Sequence, residues 1–383
     1  MPAFSEAFAG KRVFVTGHTG FKGSWLCEWL LRLGSDVTGY SLEPPTRPAL
    51  FEQLALRKRL RHLSGDVRDL AGLEKAVAAA KPDYLFHLAA QPLVRESYRI
   101  PVETFSVNVM GTVHVLESLR RLSSPCAAVI VTTDKCYENL ESGRSYTEED
   151  ALGGHDPYSS SKGAAEIAVS AFRRSFFSPE RLGSESVPPV AVASARAGNV
   201  IGGGDWAPDR IVPDCVRSLA AGKPIGVRNP AAVRPWQHVL EPLGGYLCLA
   251  AQMRSALDRR DGRRLHEMCS AFNFGPLQES NRTVADLVAC VLNAWPGEWR
   301  DLSGGDAPHE AKLLSLSIAK AGRVLGWRPR WEFEEAVRRT IEWYRSAAAG
   351  GESSPAEMTG GQITAFGDLH PVPNAETERV AKT

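Results

Sequence analysis

KRVFVTGHTGFKGSWLCEWLL, residues 11–31, is the stretch that decides the fold of this chain. It begins with an apolar run of strand length, continues through Gly17-x-x-Gly20-x-x-Gly23 and ends in the apolar spacing of a helix. A strand, a glycine turn and a helix start in this order let backbone N–H groups and the helix dipole face a pyrophosphate. Glycines also mark ordinary turns, and the spacing differs from G-x-G-x-x-G. Because both flanking elements are present, we predict a dinucleotide-binding turn.

Strand-like runs alternate with helical patterns through the first half of the chain. This rhythm predicts an α/β fold of the Rossmann type, a doubly wound parallel sheet with its ligand crevice at the carboxyl ends of the strands. After about residue 199 the rhythm breaks into Gly/Pro-rich segments and shorter helices, which predicts a smaller, partly discontinuous α/β substrate lobe. We predict strands near 12–16, 36–40, 61–65, 84–88, 127–132 and 190–195, and helices near 23–33, 70–80, 101–122, 157–176, 284–294, 317–325 and 333–348.

The same pattern divides the chain into two domains and a tail. The predicted dinucleotide-binding domain comprises residues 1–197 and roughly 235–270, and the substrate lobe comprises residues 198–234 and 271–348. The tail, residues 349–383, is rich in Gly, Pro, Ser and Glu, so we expect it to be ordered only in part.

Composition argues against several partners. With 45 basic and 44 acidic residues the formal net charge is +1, which gives no overall field for nucleic acid or an anionic membrane. The seven cysteines lack C-x-x-C or Cys/His ligand spacing and are typical of a reduced, cytoplasmic protein without a metal site. No apolar run reaches membrane-spanning length.

Two further stretches carry the chemistry: Thr132-Thr133-Asp134-Lys135, at the end of the fifth predicted strand, and Tyr158-x-x-x-Lys162. Residues four apart share a helix face, and an ammonium beside a phenol stabilises the phenolate that removes a proton from a carbinol. Lowering a phenol pKa from ~10 to ~7 takes about 4 kcal/mol, roughly what one opposite charge at ~4 Å supplies at an effective dielectric near 20. Such a pair also occurs by chance on solvated helices. The preceding Asp156-Pro157 places Tyr158 at a helix start, which favours an active site.

These motifs resemble the extended short-chain dehydrogenase/reductase family. Within it, the span from about Phe8 to Tyr344 is similar to the CDP-glucose 4,6-dehydratases. The Tyr/Lys pair and the glycines are shared by the superfamily, whereas the Asp-Lys doublet and RPWQHV point to the dehydratases. The stretches that carry the resemblance are GHTGFKGSWL (17–26), LFHLAAQPLVRESY (85–98), TTDKCYEN (132–139), DPYSSSKGAAE (156–166), RAGNVIGGGDW (196–206) and RPWQHVLEPL (234–243).

The resemblance implies conversion of CDP-D-glucose to CDP-4-keto-6-deoxy-D-glucose, an early step toward deoxysugars of surface polysaccharides. It implies that Tyr158 deprotonates the C4 hydroxyl, that Lys162 holds the nicotinamide ribose and lowers the tyrosine pKa, and that Thr133 binds O4. Lys135 then removes the C5 proton and Asp134 protonates the departing C6 hydroxyl. Many related dehydratases have a glutamate in place of Lys135, so the acid and base roles within the doublet stay open, as does a plain surface ion pair.

The implied cofactor is NAD. Members that use NAD commonly have an acidic residue at the end of the second strand, where this chain has Ser41. Glu43 is a possible substitute, and Arg47 would suit the 2′-phosphate of NADP, so NADP stays open as the second choice. The predicted cofactor contacts are Gly17, Gly20, Phe21, Lys22, Gly23, Asp66, Val67, Ala89, Ala90, Asn108, Thr132, Tyr158 and Lys162; Asn108 also suits a structural or proton-relay role.

Isolated cations and amides are predicted to hold the substrate phosphates. Arg234 and Asn199 are the residues carried over from the family, with Arg210 and Asn273 as weaker candidates that also fit structural roles.

Three alternative functions remain: dehydration of another nucleotide-hexose, a sugar-nucleotide 4-epimerase, and a non-catalytic dinucleotide-binding regulator. An epimerase has no use for the Asp-Lys doublet, and a regulator predicts loss of the catalytic set. Related enzymes associate through the helices flanking Asn108 and Tyr158, which implies a homodimer or homotetramer.

Overall fold

The computed structural model describes residues 2–140, 143–181, 188–304, 314–347 and 353–368. Seven parallel strands form the central sheet in the order β11-β6-β5-β4-β1-β2-β3, and three two-stranded sheets lie beside it. The strands are β1 Arg12–Thr16, β2 Asp36–Ser41, β3 Arg61–Ser64, β4 Tyr84–His87, β5 Cys126–Val131, β6 Val190–Arg196, β7 Val200–Ile201, β8 Ile225–Val227, β9 Val233–Pro235, β10 Gln237–His238, β11 Ala271–Asn273, β12 Asn281–Thr283 and β13 Trp299–Asp301.

Helices cover both faces of the sheet, which confirms the predicted doubly wound α/β fold. They are α1 Pro2–Phe8, α2 Phe21–Arg32, α3 Leu50–Gln53, α4 Leu70–Ala80, α5 Val94–Arg99, α6 Pro101–Phe105, α7 Gly111–Arg120, α8 Pro157–Phe176, α9 Ile211–Ala220, α10 Leu240–Arg259, α11 Gly262–Met268, α12 Val284–Ala294, α13 Ala319–Leu325, α14 Phe333–Ala347 and α15 Pro355–Asp368.

Alternation along the strands builds two cores. In β1, Val13 and Val15 join the larger cluster, with α2 and α10, whereas Phe14 points to the smaller cluster, with α4 and α7. In β5, Val129 and Ile130 divide in the same way. Successive side chains of a strand point to opposite faces, so a sheet covered on both sides needs apolar residues at every position.

Two predicted boundaries need correction. The helix predicted over residues 101–122 is present and ends at Arg120, and it is not α-helical throughout: α6 continues through one π-helical turn, Ser106–Met110, into α7. Strand β11 was assigned to the substrate lobe, but it pairs with β6 at the edge of the central sheet, Ala271 opposite Ser194. A three-residue strand carries too little alternation to be recognised from sequence.

Three two-stranded sheets lie outside the central sheet. β7 pairs with β10, β9 pairs with β12, and β8 pairs with β13. α14 packs against α12 and α15, and α15 also contacts α2. Among the described residues, no helix combines the length and apolar character needed to cross a bilayer.

Candidate active site

The glycine turn has the shape needed by a dinucleotide. Gly17 has φ +74°, and a Cβ there would lie 2.6 Å from the Ala89 nitrogen. A Cβ on Gly23 would lie 2.1 Å from the Gly17 oxygen, so both glycines permit close backbone packing. Gly20 is different, because its nearest protein neighbour would be 3.4 Å away. Gly20 is also the N-cap residue of α2 and has no side chain to cap the helix, so this open side of the turn fits a phosphate group.

Loops at the carboxyl ends of β3 and β4 border the same crevice. Asp66 and Val67 follow β3; the Asp66 carboxylate accepts hydrogen bonds from Arg68, and Val67 is buried. Ala89 and Ala90 follow β4, and the Ala89 nitrogen is 3.3 Å from the Thr16 hydroxyl. The predicted cofactor residues of these loops therefore lie on one edge of the sheet.

Asn108 joins the crevice loop to the catalytic helix. Its Oδ1 accepts a hydrogen bond from the Gln91 nitrogen at 2.8 Å, and its Nδ2 donates to the Gln91 oxygen at 3.1 Å and to the Ser161 hydroxyl at 2.9 Å. The side chain is 1% exposed. With its amide occupied by protein groups, Asn108 is a structural clamp, and its prediction as a cofactor contact is corrected.

Tyr158 and Lys162 lie together in the first two turns of α8. Asp156 caps this helix through the Ser159 nitrogen at 2.9 Å, and Pro157 occupies its first turn. Burial raises the pKa of the Tyr158 phenol to about 12, although a hydrogen bond with Thr133 acts in the opposite direction. Burial lowers the pKa of the Lys162 ammonium to about 8. Burial therefore dominates the pKa of Tyr158 in the chain by itself, and the lowering expected from Lys162 stays a prediction for the enzyme with its cofactor.

The Asp-Lys doublet forms a short turn directly after β5. Thr133 donates its hydroxyl to Asp134 Oδ1 at 2.9 Å, and Asn199 donates its amide to Asp134 Oδ2 at 2.9 Å. Lys135 Nζ lies 3.6 Å from Asp134 Oδ1. Asp134 is fully buried, and it fits there because Gly198 has no side chain: a Cβ at Gly198 would lie 2.0 Å from the carboxyl carbon.

A buried ion pair lies beneath these residues. Glu166, one turn after Lys162 on α8, accepts hydrogen bonds from Thr132 at 2.5 Å, from Ser194 at 2.8 Å and from Arg196 at 2.8 Å. Burial opposes ionisation of Glu166, but the charge and hydrogen bond of Arg196 outweigh it and lower the pKa of the carboxyl. Sequence reasoning missed this pair, although an acidic residue four positions after Lys162 was the available signal.

Two arginines predicted to bind substrate occupy different environments. Arg210 pairs with Asp205 at 2.7 Å. Burial, and next the positive charge of Arg210, lower the pKa of the Lys22 ammonium to about 7, so Arg210 lies near Lys22 of the glycine turn. Asp205 was not predicted, because it lies five residues before Arg210 in a loop without a periodic pattern. Arg234 is 6% exposed on β9 and donates to the Val233 oxygen at 2.9 Å.

Asn273 does not face the crevice. It is fully buried on β11, its Oδ1 accepts from the Tyr137 hydroxyl at 2.7 Å, and its Nδ2 donates to the carbonyls of Tyr146 and Ser317 at 3.0 and 3.2 Å. Its amide links two parts of the protein core. The prediction that Asn273 binds substrate is corrected to a structural role.

The fold and the site together define a class: an enzyme of the extended short-chain dehydrogenase/reductase type, with the Asp134–Lys135 doublet beside the Tyr/Lys pair. Residues 14–245 match the family model for GDP-mannose 4,6 dehydratase. The CDP-glucose 4,6-dehydratase of Salmonella typhimurium is 48% identical over 339 residues, 88% of this chain and 91% of that protein. A dTDP-glucose 4,6-dehydratase of Streptomyces antibioticus is 28% identical over 88% of this chain and 93% of that protein. The chain therefore belongs to the nucleotide-sugar 4,6-dehydratase family, in the branch of the CDP-glucose enzymes.

Solved structures agree with this fold. The dTDP-glucose 4,6-dehydratase DesIV from Streptomyces venezuelae, solved with NAD and TYD bound, superposes with a TM-score of 0.73 at 24% identity, covering 89% of this chain and 99% of that one. The epimerase Mth375 from Methanothermobacter thermautotrophicus gives a TM-score of 0.72 at 22% identity, covering 91% and 95%. At these identities the likeness concerns the fold.

Proposed function

We propose that this chain is a CDP-D-glucose 4,6-dehydratase, which forms CDP-4-dehydro-6-deoxy-D-glucose by C4 oxidation, loss of water across C5 and C6, and hydride return to C6. The observation that carries the proposal is that the turn with the Asp134–Lys135 doublet packs against α8, which carries the Tyr158–Lys162 pair. Thr133 contacts both Asp134 and Tyr158. The 48% identical relative supports the choice of substrate.

The cofactor in this proposal is NAD, which when bound accepts the hydride from C4 and donates it to C6. The glycine turn and the start of α2 hold its pyrophosphate, and Lys162 binds the nicotinamide ribose. Ser41 has no carboxylate and cannot be the acidic ribose ligand; its hydroxyl lies 2.9 Å from that of Thr19. Glu43 is 64% exposed and pairs with Arg57 at 2.7 Å, which leaves it at the surface beside this strand end. NAD bound to the S. venezuelae enzyme is further support for NAD over NADP.

In the proposed mechanism Tyr158 removes the C4 hydroxyl proton while Thr133 binds O4. Lys135 acts as base at C5 only when neutral, and Asp134 acts as acid at O6 only when protonated. One proton shift from the Lys135 ammonium to the Asp134 carboxylate, across 3.6 Å, produces both forms at once. A substrate that excludes water from the pair favours the uncharged form. Elimination then returns the pair to its charged form, since Lys135 gains the C5 proton and Asp134 loses one to the departing water.

Arg210 and Arg234 are the proposed contacts of the substrate phosphates. Their guanidinium groups suit a diphosphate because each presents several donors in a fixed plane. Asn199 was predicted to share this role, but its amide donates to Asp134, so we propose that it also orients the acid.

The test is to mix the purified protein with CDP-, dTDP-, UDP- and GDP-glucose in separate reactions and look for the 4-keto product. We expect product with CDP-glucose. Product with another nucleotide-glucose alone would contradict the choice of nucleotide, and interconversion at C4 without loss of water would establish the epimerase alternative. Binding of cofactor with no turnover of any sugar nucleotide would establish the regulator.

We further propose that the chain forms a homodimer through the surface of α6, the π-helical turn and α8. Val102 is 84% exposed, Phe105 40%, Met110 46% and Ile167 59%. α6 and α8 pack side by side, so these apolar side chains belong to neighbouring elements. Exposed apolar groups clustered in this way are typical of a protein interface, and a second copy of the chain is the occupant that the family resemblance implies.

Sedimentation of charged variants tests the dimer. Val102→Glu and Ile167→Glu should shift the protein toward monomer, because each places a carboxylate in the proposed interface. Leu140→Glu is the matched control, since Leu140 is 72% exposed in the loop after the doublet, outside the proposed surface. A wild-type monomer at micromolar concentration would contradict the proposal.

We place the reaction in the cytoplasm. The support is the state of the cysteines: all seven are free thiols and six are buried, as expected for a protein of a reducing compartment.

A further inference from the structure

Glu166 connects three elements that each carry part of the active site. Its own helix, α8, bears Tyr158 and Lys162. Thr132, which donates to Glu166 Oε1, is the residue directly before the Thr133–Lys135 turn. Arg196, which donates to Oε2, ends β6 and is two residues before Gly198.

The Glu166 carboxylate is buried, and both of its oxygens accept hydrogen bonds. Glu166 is 3% exposed and Arg196 is 4% exposed, and Ser194 adds a further bond to Oε2. Arg196 donates a second nitrogen to the Tyr137 hydroxyl at 2.8 Å, and Tyr137 donates to Asn273 Oδ1, so the guanidinium is held from both sides. Both terminal nitrogens of the Arg196 guanidinium are therefore bonded, whereas its Nε has no hydrogen-bond partner among the residues that the structure describes. A buried network of charge-assisted hydrogen bonds restricts the relative positions of the groups that it joins.

The geometry points to Glu166 as a positioning residue that sets the separation between the Tyr158–Lys162 pair, which oxidises C4, and the Asp134–Lys135 doublet, which eliminates water. The two halves lie on different elements and act on adjacent carbons of one sugar. Thr132 donates a hydrogen bond to Glu166 and is joined to the doublet by the backbone through Thr133, whereas Asn199 holds Asp134 from the β6 side. This inference rests on the proposed function, since it concerns how its two sets of residues are kept in register.

Thr132→Val is the sharpest variant, because valine keeps the shape of threonine and removes only the hydroxyl that reaches Glu166. We expect the ratio of C5 solvent-deuterium exchange to C4 oxidation to fall about tenfold or more, as a small misplacement of a reacting group does. C4 oxidation is followed in a single turnover by the absorbance of reduced nicotinamide, and exchange by mass spectrometry. The KM value for sugar nucleotide should stay within about twofold of the wild type.

Two variants separate positioning from plain structural support. Thr132→Ser restores the hydroxyl and should restore the ratio. Ser194→Ala removes a donor from the same carboxylate but leaves Arg196 to hold β6, so the ratio should stay within about twofold of the wild type. If Thr132→Val does not fold, Thr132→Ala tests the same hydroxyl.

An unchanged ratio of C5 exchange to C4 oxidation in folded Thr132→Val would overturn the positioning role. Equal losses of C4 oxidation and C5 exchange, in proportion to a fall in melting temperature, would overturn it too. An equal fall in Ser194→Ala would overturn it as well. A wild type that dehydrates a different nucleotide-glucose contradicts only the proposed substrate, and the same variants are then compared on that substrate. A wild type that dehydrates none overturns both proposals.

Discussion

Tyr158 illustrates the energetic problem of this active site. Burial raises the pKa of its phenol to about 12, so at neutral pH the phenol holds its proton. Lowering that pKa to ~7 takes about 7 kcal/mol, which is more than one charge pair near a protein surface supplies. Lys162, with a pKa lowered by burial to about 8, is still mostly charged at neutral pH. A second positive charge is therefore needed, and the oxidised nicotinamide of NAD, whose pyrophosphate the glycine turn is proposed to hold, would provide it.

Lys135→Ala tests the base. We expect the variant to oxidise C4 but to lose C5 exchange with solvent by at least about 100-fold, because general-base catalysis contributes about 10² to 10⁴. The measurement is deuterium incorporation at C5 by mass spectrometry. Lys135→Arg is the control, since arginine keeps the charge beside Asp134 but cannot become a neutral base. Unchanged exchange in Lys135→Ala would remove Lys135 as the base.

Asn199→Gly separates two roles of one amide. Asn199 has φ +50°, a conformation that glycine adopts without strain, so the variant removes the side chain and leaves the backbone unstrained. If the amide acts by orienting Asp134, kcat falls about tenfold or more while KM changes little. A rise in KM with unchanged kcat would instead show that the amide holds the substrate. Steady-state kinetics decide between the two.

At the scale of elements, the sequence predicts best where the signal is local. α4, α8 and α12 have the predicted bounds, and each begins at a side-chain cap: Asp69, Asp156 and Thr283. The π-helical turn at Ser106–Met110 was not predicted, because the hydrogen bonds of Asn108 to Gln91 and Ser161 join residues far apart in the chain. Tertiary contacts of this kind leave no periodic pattern in the sequence.

Glu241 makes the loop before α14 sensitive to pH. This fully buried carboxyl on α10 accepts hydrogen bonds from the backbone nitrogens of Arg330 at 3.0 Å and Trp331 at 2.7 Å, and burial raises its pKa from 4.5 to about 8. Between these values the unfolded chain has released the proton and the folded chain retains it. Folding stability therefore falls as pH rises, by about 3 kcal/mol from roughly pH 5 to pH 7.

Glu241→Gln should remove that part of the pH dependence, because the amide is neutral throughout and its oxygen can still accept from both nitrogens. The measurement is the free energy of unfolding in urea at a series of pH values for both proteins. Other groups titrate in the same range, so the quantity of interest is the difference between the two proteins. The free energy of unfolding of the variant should rise relative to that of the wild type as pH rises. If the two proteins instead show parallel plots of unfolding free energy against pH, Glu241 is ionised in the folded protein.

At the scale of the whole molecule, the residues of the site were easier to predict than the contacts between them. Thr133, Asp134, Lys135, Tyr158 and Lys162 belong to two short motifs, and the parallel-sheet rule places strand ends on one edge. The contact of Asn199 with Asp134 spans 65 residues, and the burial of Asn273 depends on a strand too short to recognise. Residue type and spacing carry no information about such partners.

Helix α15 packs against α2 and against Trp331, which precedes α14. Phe366 is 2% exposed and packs edge-on against Trp29 of α2, with ring centroids 5.7 Å apart, and against Trp331, 5.1 Å apart. Phe366→Ala should therefore lower the free energy of unfolding by about 3 to 5 kcal/mol in denaturant titrations of the full chain. Gly361→Ala, in the same helix, is the control: nothing lies within 4 Å of a Cβ there, so alanine should raise stability by up to about 1 kcal/mol. A loss below about 1 kcal/mol for Phe366→Ala would mean that the Phe366 side chain does not hold α15 against α2 and Trp331.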